Sequence, residues 1–186
     1  DFTSAIANAP EKILVFYHKR AVAFVNQELF EKAASDFGVV IELSPNEAGN
    51  YANRGRCYFE LGKFELAVKD LNVALTNGQD NPYSFMYRGI SLSRLKKYDE
   101  AFADLARAIE LMPGLERARF ERANLNHFLQ KDEAALAEIE EMIKANPKSL
   151  NAYSLRAQIH TDLRNFKKAL ADCDRLLEFY PADPRL

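Results

Sequence analysis

The chain has 186 residues, of which 48% are hydrophobic and 28% charged, a composition typical of a globular protein and not of a disordered segment. Its 27 acidic and 25 basic side chains leave a formal net charge of −2, too balanced to attract nucleic acid or anionic lipid through an overall field. No apolar run approaches the roughly 20 residues of a membrane-spanning helix. The low cysteine count slightly favours a cytoplasmic location, and Cys57 and Cys173 cannot cross-link a fold of this length.

The prolines recur at a fixed interval. Pro113, Pro147 and Pro181 are 34 residues apart, and Pro45 precedes Pro113 by 68, which is twice that interval. Because proline ends helices, this spacing predicts a tandem repeat of helical units.

At this period the chain divides into five blocks, which are 14–47, 48–81, 82–115, 116–149 and 150–183. We number the places in each block from 1 to 34. Place 8 is always Ala or Gly and place 20 is always Ala, at Ala21, Gly55, Gly89, Ala123 and Ala157 and at Ala33, Ala67, Ala101, Ala135 and Ala169. Places 4, 8 and 11 form one helical face, and places 20, 24 and 27 form a second. Each block is therefore predicted to be a helix A, a short turn and a helix B, which approach closely at the small residues.

The residues outside the five blocks are predicted to belong to neighbouring repeats. Residues 1–13 are interpreted as the tail of a preceding helix B, with Phe2, Ala5, Ile6 and Pro10 at the corresponding places. Residues 184–186 are interpreted as the start of a following block. Since terminal repeats usually need a solvated outer face, we expect an array cut from a longer protein, or end helices that pack on a partner chain.

This pattern resembles the tetratricopeptide repeat, which has a 34-residue period, aromatic and small residues in helix A, alanine in helix B and a closing proline. The resemblance covers residues 14–183. One departure is place 4, where the family prefers Trp and this chain, which has none, uses Tyr or Phe in four blocks and Arg119 in block four. The resemblance implies an all-α fold, a right-handed α-solenoid of antiparallel helix pairs whose concave groove is lined by helix A.

Two charged series share the period. Place 7 is arginine and place 23 is acidic in every block, at Arg20, Arg54, Arg88, Arg122 and Arg156 and at Asp36, Asp70, Asp104, Glu138 and Asp172. We expect a structural ladder of arginine–carboxylate pairs between helices A and B, because every arginine has a counterpart in its own block. The alternative is a row of arginines that binds anions.

The resemblance also implies that places 2, 5, 6, 9, 12 and 13 of helix A face the groove. Aromatic and apolar residues at these places, beside arginines and asparagines, predict a partner-binding patch made of Asn53, Arg56, Phe59, Tyr83, Met86, Tyr87, Ile90, Arg94, Arg117, Phe120, Asn124, Phe128 and Asn151. Such a patch suits an extended peptide or a helix of a partner. The alternative for Phe120 and Phe128 is a core position caused by a local shift of block four.

No catalytic or metal-binding motif accompanies these features. His18, His127 and His160 lack metal-ligand spacing; His160 is interpreted as a core histidine and Cys173 as a small buried hydrophobe. The two-carboxylate clamp of chaperone-binding family members is also missing, since only Asn53 matches its pattern.

The sequence therefore predicts a non-enzymatic scaffold or adaptor that binds a protein or peptide, with no cofactor, no metal, no nucleic acid and no membrane insertion. Two alternatives stay open: an oligomerisation module that self-associates through its end helices, and a targeting domain for an enzyme outside this segment.

Overall fold

The computed structural model describes residues 10–78 and 80–179, and side chains from residue 13 onward. These residues form ten α-helices: α1 (Pro10–Asn26), α2 (Phe30–Leu43), α3 (Ala48–Glu60), α4 (Phe64–Thr76), α5 (Pro82–Arg94), α6 (Tyr98–Leu111), α7 (Glu116–Phe128), α8 (Asp132–Ala145), α9 (Leu150–Asp162) and α10 (Phe166–Phe179). The all-α class and the sequential pairing of helices A and B are as predicted.

The helix boundaries follow the 34-residue period. Helices α3, α5, α7 and α9 each cover places 1 to 13, and every helix B begins at place 17. Helix α7 begins at Glu116, so the alternative in which block four is shifted is wrong. Helix α1 is longer than expected, because residues 10–13 form its first turn and do not close a preceding helix B. Residues 1–9 and 180–186, to which the other end predictions apply, lie outside the described residues.

The helices fall into two compact units, one up to Leu111 and one from Met112. In the first unit α1–α2, α3–α4 and α5–α6 pack as pairs, and each helix B also contacts the next helix A. In the second unit α7–α8 and α9–α10 pack as pairs, with α8 against α9. Successive A helices also touch, α3 with α5 and α7 with α9.

Helices A and B of each pair approach each other closely at place 8 of helix A. A Cβ atom built on Gly55 would lie 2.8 Å from Cγ of Leu71, and one on Gly89 would lie 3.1 Å from the carbonyl oxygen of Ala101. The alanines at place 20 are buried, as are Phe37 and the other large residues at place 24 of blocks one to four. Small residues at places 8 and 20 thus let the helices approach, and large residues fill the space beside them.

The turn between helices A and B has one conformation in all five blocks. Place 15 has a left-handed backbone with φ between 57° and 69°, at Glu28, Gly62, Lys96, Gln130 and Arg164. In block two the N–H of Lys63 donates to the carbonyl of Tyr58 at 2.8 Å, and the N–H of Gly62 donates to Phe59 at 2.9 Å. This is the Schellman arrangement, which satisfies the last carbonyls of helix A.

Candidate functional site

The groove-lining positions of helix A differ sharply in exposure. Asn53, Arg56, Tyr83 and Arg94 of the first unit are exposed, as are Arg117, Phe128 and Asn151 of the second. All of these are at places 2, 6, 9 or 13, on the side of helix A opposite the packing face at places 4, 8 and 11. These positions are the ones available to a ligand.

Three predicted groove residues are buried, which corrects the prediction. Phe59, Met86 and Ile90 have almost no exposed surface, so they do not form part of a solvated apolar patch. Phe59 and Met86 lie at places 12 and 5, beside the packing face of their helices, whereas Ile90 lies at place 9, where Arg56 of the preceding block is exposed. Because α3 and α5 are each contacted by at least three helices of their own unit, the buried side of each helix is broader than the face at places 4, 8 and 11.

An open depression of about 370 Å³ lies between α3 and α5 in the first unit. Its walls include Asn53 and Arg56 from α3, and Tyr83 and Tyr87 from α5. The ring of Tyr87 is 5.0 Å from the ring of Phe59, which fixes Tyr87 against the buried layer. Asn81 caps α5 by accepting a 2.9 Å hydrogen bond from the N–H of Tyr83. The depression therefore combines polar groups with two aromatic rings, of which the Tyr87 ring packs against Phe59 and the Tyr83 ring is exposed.

A second depression, of about 420 Å³, lies between α7 and α9. It is lined by Arg117, Phe120 and Glu121 of α7 and by Asn151 of α9, with Glu116 at the edge. Phe120 is half-buried and packs against the core of this unit, while Asn124 is also half-buried. Both depressions thus form between consecutive A helices, and they share places 5 and 6 of one helix and place 2 of the next. The continuous patch over blocks two to four involves both units and stays a prediction.

The structure brings every arginine at place 7 onto the carboxylate at place 23 of its own block. In block three, Nε and Nη2 of Arg88 donate to the two carboxylate oxygens of Asp104, both at 2.7 Å. Equivalent bidentate pairs join Arg20 to Asp36, Arg54 to Asp70 and Arg156 to Asp172, with donor–acceptor distances of 2.5–2.9 Å. The carboxylates are buried, so these pairs are internal connections between helices A and B.

Aromatic rings at place 4 stack on the same guanidinium groups. The Cζ atom of Arg20 is 5.0 Å from the centre of the Tyr17 ring, and that of Arg156 is 5.3 Å from the Tyr153 ring. The hydrogen bond with Asp172 raises the pKa of Arg156, while burial opposes the shift. A guanidinium held by both a carboxylate and a ring favours the structural ladder over the anion-binding alternative.

Block four differs from this pattern at places 4 and 23, and the two differences compensate each other. Place 4 is Arg119, and its Nη1 donates to Oε1 of Glu138 at 2.5 Å, while Arg122 binds Oε2 of the same carboxylate through Nε and Nη2. Arg119 also donates to the carbonyl of Pro113 at 2.9 Å. The only glutamate at place 23 therefore lies in the block that has two arginines to bind. The sequence analysis missed this pairing, although the paired departures from the repeat pattern indicated it.

The histidines have structural roles. Nδ1 of His127 is 2.5 Å from Asp132 and Nε2 is 3.0 Å from Asp162, so its ring bridges the start of α8 and the end of α9. Burial lowers the pKa of His127, but the hydrogen bonds and the negative charges of Asp132 and Asp162 together outweigh it and raise the pKa overall. His160 is buried as predicted, and burial lowers its pKa against the opposing charge of Asp172.

Cys173 is exposed, contrary to its interpretation as a buried core residue. It lies at place 24 of α10, on the side of helix B that a following helix A covers in the inner blocks. Cys57 is buried, and burial raises the pKa of its thiol to about 11. None of the described helices has the length and apolar character needed to span a membrane. The described residues also contain no cluster of three side chains suited to a metal ion.

Known proteins share both the repeat pattern and the fold of this chain. The family model for the tetratricopeptide repeat matches residues 18–82 and 129–184. The crystal structure of YrrB, described as a TPR protein with an unusual peptide-binding site, superposes with a TM-score of 0.75 at 24% identity, over 97% of this chain and 92% of that one. MamA from Desulfovibrio magneticus RS-1 gives 0.81 at 14% identity, over 90% and 94%.

A third solved structure, PilF of Pseudomonas aeruginosa, superposes with a TM-score of 0.76 at 18% identity, over 94% of this chain and 80% of that one. No curated protein matches the sequence significantly. At these identities the solved structures show a common fold.

Proposed function

Because the chain belongs to the tetratricopeptide repeat family, we propose that it is a protein-interaction scaffold that binds an extended segment of a partner between consecutive A helices. The observation that carries this proposal is the depression between α3 and α5, where exposed amide and guanidinium groups surround two tyrosines. The peptide-binding site named for YrrB, which has the same fold, supports the same class of function.

The chemistry of this depression defines the kind of segment it suits. The side chain of Asn53 offers one donor group and one acceptor, which match the N–H and C=O groups of an extended backbone. Tyr83 and Tyr87 offer rigid rings that an aliphatic or aromatic side chain can cover. Arg56 is exposed and can pair with a carboxylate. The preferred ligand is therefore an extended peptide that carries an apolar side chain near an acidic one.

The depression between α7 and α9 extends the proposal to the second unit. Arg117 and Asn151 supply a guanidinium and an amide group, as Arg56 and Asn53 do in the first depression, although from different places of the block. Phe120 supplies an aromatic ring. Glu116 and Glu121 make this second depression more acidic than the first.

The proposal can be tested with an unbiased phage library of 12-residue peptides, followed by fluorescence anisotropy with an enriched peptide. The double variant Asn53→Ala/Tyr83→Ala should weaken binding at least tenfold, because it removes the amide and one ring from an exposed surface. The matched control is Lys69→Ala, an exposed residue of α4 outside the depression. Equal affinities for both variants would place binding elsewhere and refute the role of the depression.

Two other functions are alternatives to this proposal. A targeting role for an enzyme on a separate segment would use the same depressions, so only the partner would differ. Self-association would use a different surface, which the exposed apolar side chains of α1 and α10 form.

A further inference from the structure

Within each unit, helix B of one block packs against helix A of the next block. The corresponding faces of α1, which is a helix A, and of α10, which is a helix B, are exposed. Phe16, at place 3 of α1, has 68% of its surface exposed, and Leu170, at place 21 of α10, has 64%. At place 3 of the other blocks the residues are buried, as in Ser84 and Ala152. The exposed faces of α1 and α10 are therefore the two halves of the contact that joins one block to the next within each unit.

The inner junctions show which polar groups meet across this contact. In the α4–α5 junction, Nη1 of Arg88 at place 7 donates to Oδ1 of Asn72, at place 25 of the preceding block, at 2.8 Å. In the α2–α3 junction, a Cβ atom built on Gly38 at place 25 would lie 3.7 Å from Nη1 of Arg54. Place 25 of one helix B thus lies against the arginine at place 7 of the next helix A.

The α8–α9 junction has an acidic residue at the same position. The pKa of Arg156 is raised chiefly by its hydrogen bond with Asp172, and the charge of Glu140 at place 25 adds to this shift. The α2–α3 and α4–α5 junctions therefore agree on the approach of place 25 to place 7, and in the α8–α9 junction the residue at place 25 is acidic.

If α10 packed against α1 in the way that an inner helix B packs against the next helix A, an acidic residue at place 25 would meet a basic residue at place 7. Place 25 of α10 is Asp174, which is exposed, and place 7 of α1 is Arg20. Arg20 binds Asp36 through Nε and Nη2, as its equivalents bind their own carboxylates. Its side chain is 57% exposed, against 20–23% for the four equivalent arginines. Arg20 thus keeps an accessible guanidinium edge at the position that meets place 25.

The apolar residues are also complementary, in size. In the core of the second unit, the small Ala152 at place 3 is in the same buried cluster as the large Ile139 at place 24 of the preceding block. In α1 and α10 the sizes are reversed, since place 3 is the large Phe16 and place 24 is the small, exposed Cys173. Phe16 can therefore fill the volume that Cys173 leaves, with Leu170 and Leu177 beside it.

We propose that two copies of this chain associate head to tail, with α1 of one copy packed on α10 of the other. Phe16 covers Cys173 and Leu170, and Arg20 forms an ion pair with Asp174 across the interface. Because each copy has one α1 and one α10, the contact is heterologous, so one copy can bind a second copy through α1 and another through α10. This surface is separate from the depressions between the A helices.

Complementation between two blocked variants tests the proposal. Phe16→Glu blocks α1, and Leu170→Glu blocks α10; both side chains are exposed, so circular dichroism and Tm should stay unchanged. By analytical ultracentrifugation the natural chain should gain mass with concentration, and each variant alone should remain monomeric. An equimolar mixture should give a species of two chains and no larger one, because one working α1 meets one working α10.

The alternatives give different masses. A symmetric α10–α10 contact would let Phe16→Glu alone dimerise, which would overturn the proposal. A natural chain that stays monomeric at every concentration, or a mixture that stays monomeric, would also overturn it. Asp174→Arg tests the ion pair and should weaken self-association at least tenfold, whereas Glu133→Arg, an exposed charge reversal on α8, should leave it unchanged.

Discussion

Removal of one arginine from the ladder should destabilise the first unit strongly. Asp104 has 9% of its side chain exposed and Arg88 has 20%, so Arg88→Ala leaves a nearly buried carboxylate without its bidentate partner. Loss of one partner costs about 3–5 kcal/mol for a fully buried pair and about 0–1 kcal/mol for an exposed pair. Because some water reaches Arg88, we expect a loss of about 3 kcal/mol in unfolding free energy. This corresponds to a fall in Tm of about 6–12 °C for a chain of this size.

The same variant also loses two secondary contacts. Arg88 donates to Asn72 at 2.8 Å and lies over the Phe85 ring at 5.6 Å, so its removal weakens the α4–α5 junction as well. Replacement of both partners, Arg88→Met with Asp104→Leu, should cost less than Arg88→Ala alone because no buried charge remains. Peptide binding at saturating concentration should change little, since the ladder does not line the depressions.

Arg107→Ala is the matched control within the same unit. Arg107 also forms two ion pairs, with Asp80 at 2.8 Å and Glu110 at 3.1 Å, but all three side chains are exposed. Its loss should therefore cost less than about 1 kcal/mol. Urea denaturation followed by circular dichroism measures both variants. Equal stability losses for Arg88→Ala and Arg107→Ala, or no loss for Arg88→Ala, would refute the assignment of the ladder to stability.

Two further predictions concern pH and the turns. His127 has a raised pKa in the folded state, so its bridge to Asp132 and Asp162 stabilises the fold fully below the ordinary pKa of about 6.5, and this stabilisation is lost as pH rises through the folded pKa. The variant His127→Gln should remove this pH dependence of the unfolding free energy, measured by urea denaturation. An unchanged pH dependence would refute the role of His127. Gly62→Ala should lower the unfolding free energy by about 1 kcal/mol, because the backbone φ of 69° is unfavourable for alanine, although its Cβ atom would meet nothing within 4 Å. Gln130→Gly should raise the unfolding free energy by a smaller amount, and thermal unfolding measures both variants. Shifts of the same sign in the two variants would contradict the assignment of strain to place 15.

The 34-residue pattern predicted the helices closely. Proline spacing and the small residues at places 8 and 20 placed every helix pair, and α7 begins at Glu116 as the period requires. The ladder was also predictable, because places 7 and 23 lie on the facing sides of a helix hairpin, and Arg88 and Asp104 meet there. These properties depend on the position of a side chain around its own helix, which the periodicity of the sequence specifies.

The candidate site was predicted less well, because exposure depends on the neighbours of each helix. Met86 and Ile90 were expected in the groove, yet they are buried in a helix that contacts three others in its unit. The pairing of Arg119 with Glu138 likewise needed a side chain long enough to reach two arginines.

The sequence by itself determined the repeat, the helix pairs and the partners in the ladder. Only the tertiary structure decided which groove positions stay open, that His127 joins two carboxylates, and that Cys173 is exposed on α10. The physical reason is that periodicity sets the direction of each side chain, whereas burial and long-range contacts depend on which helices surround it.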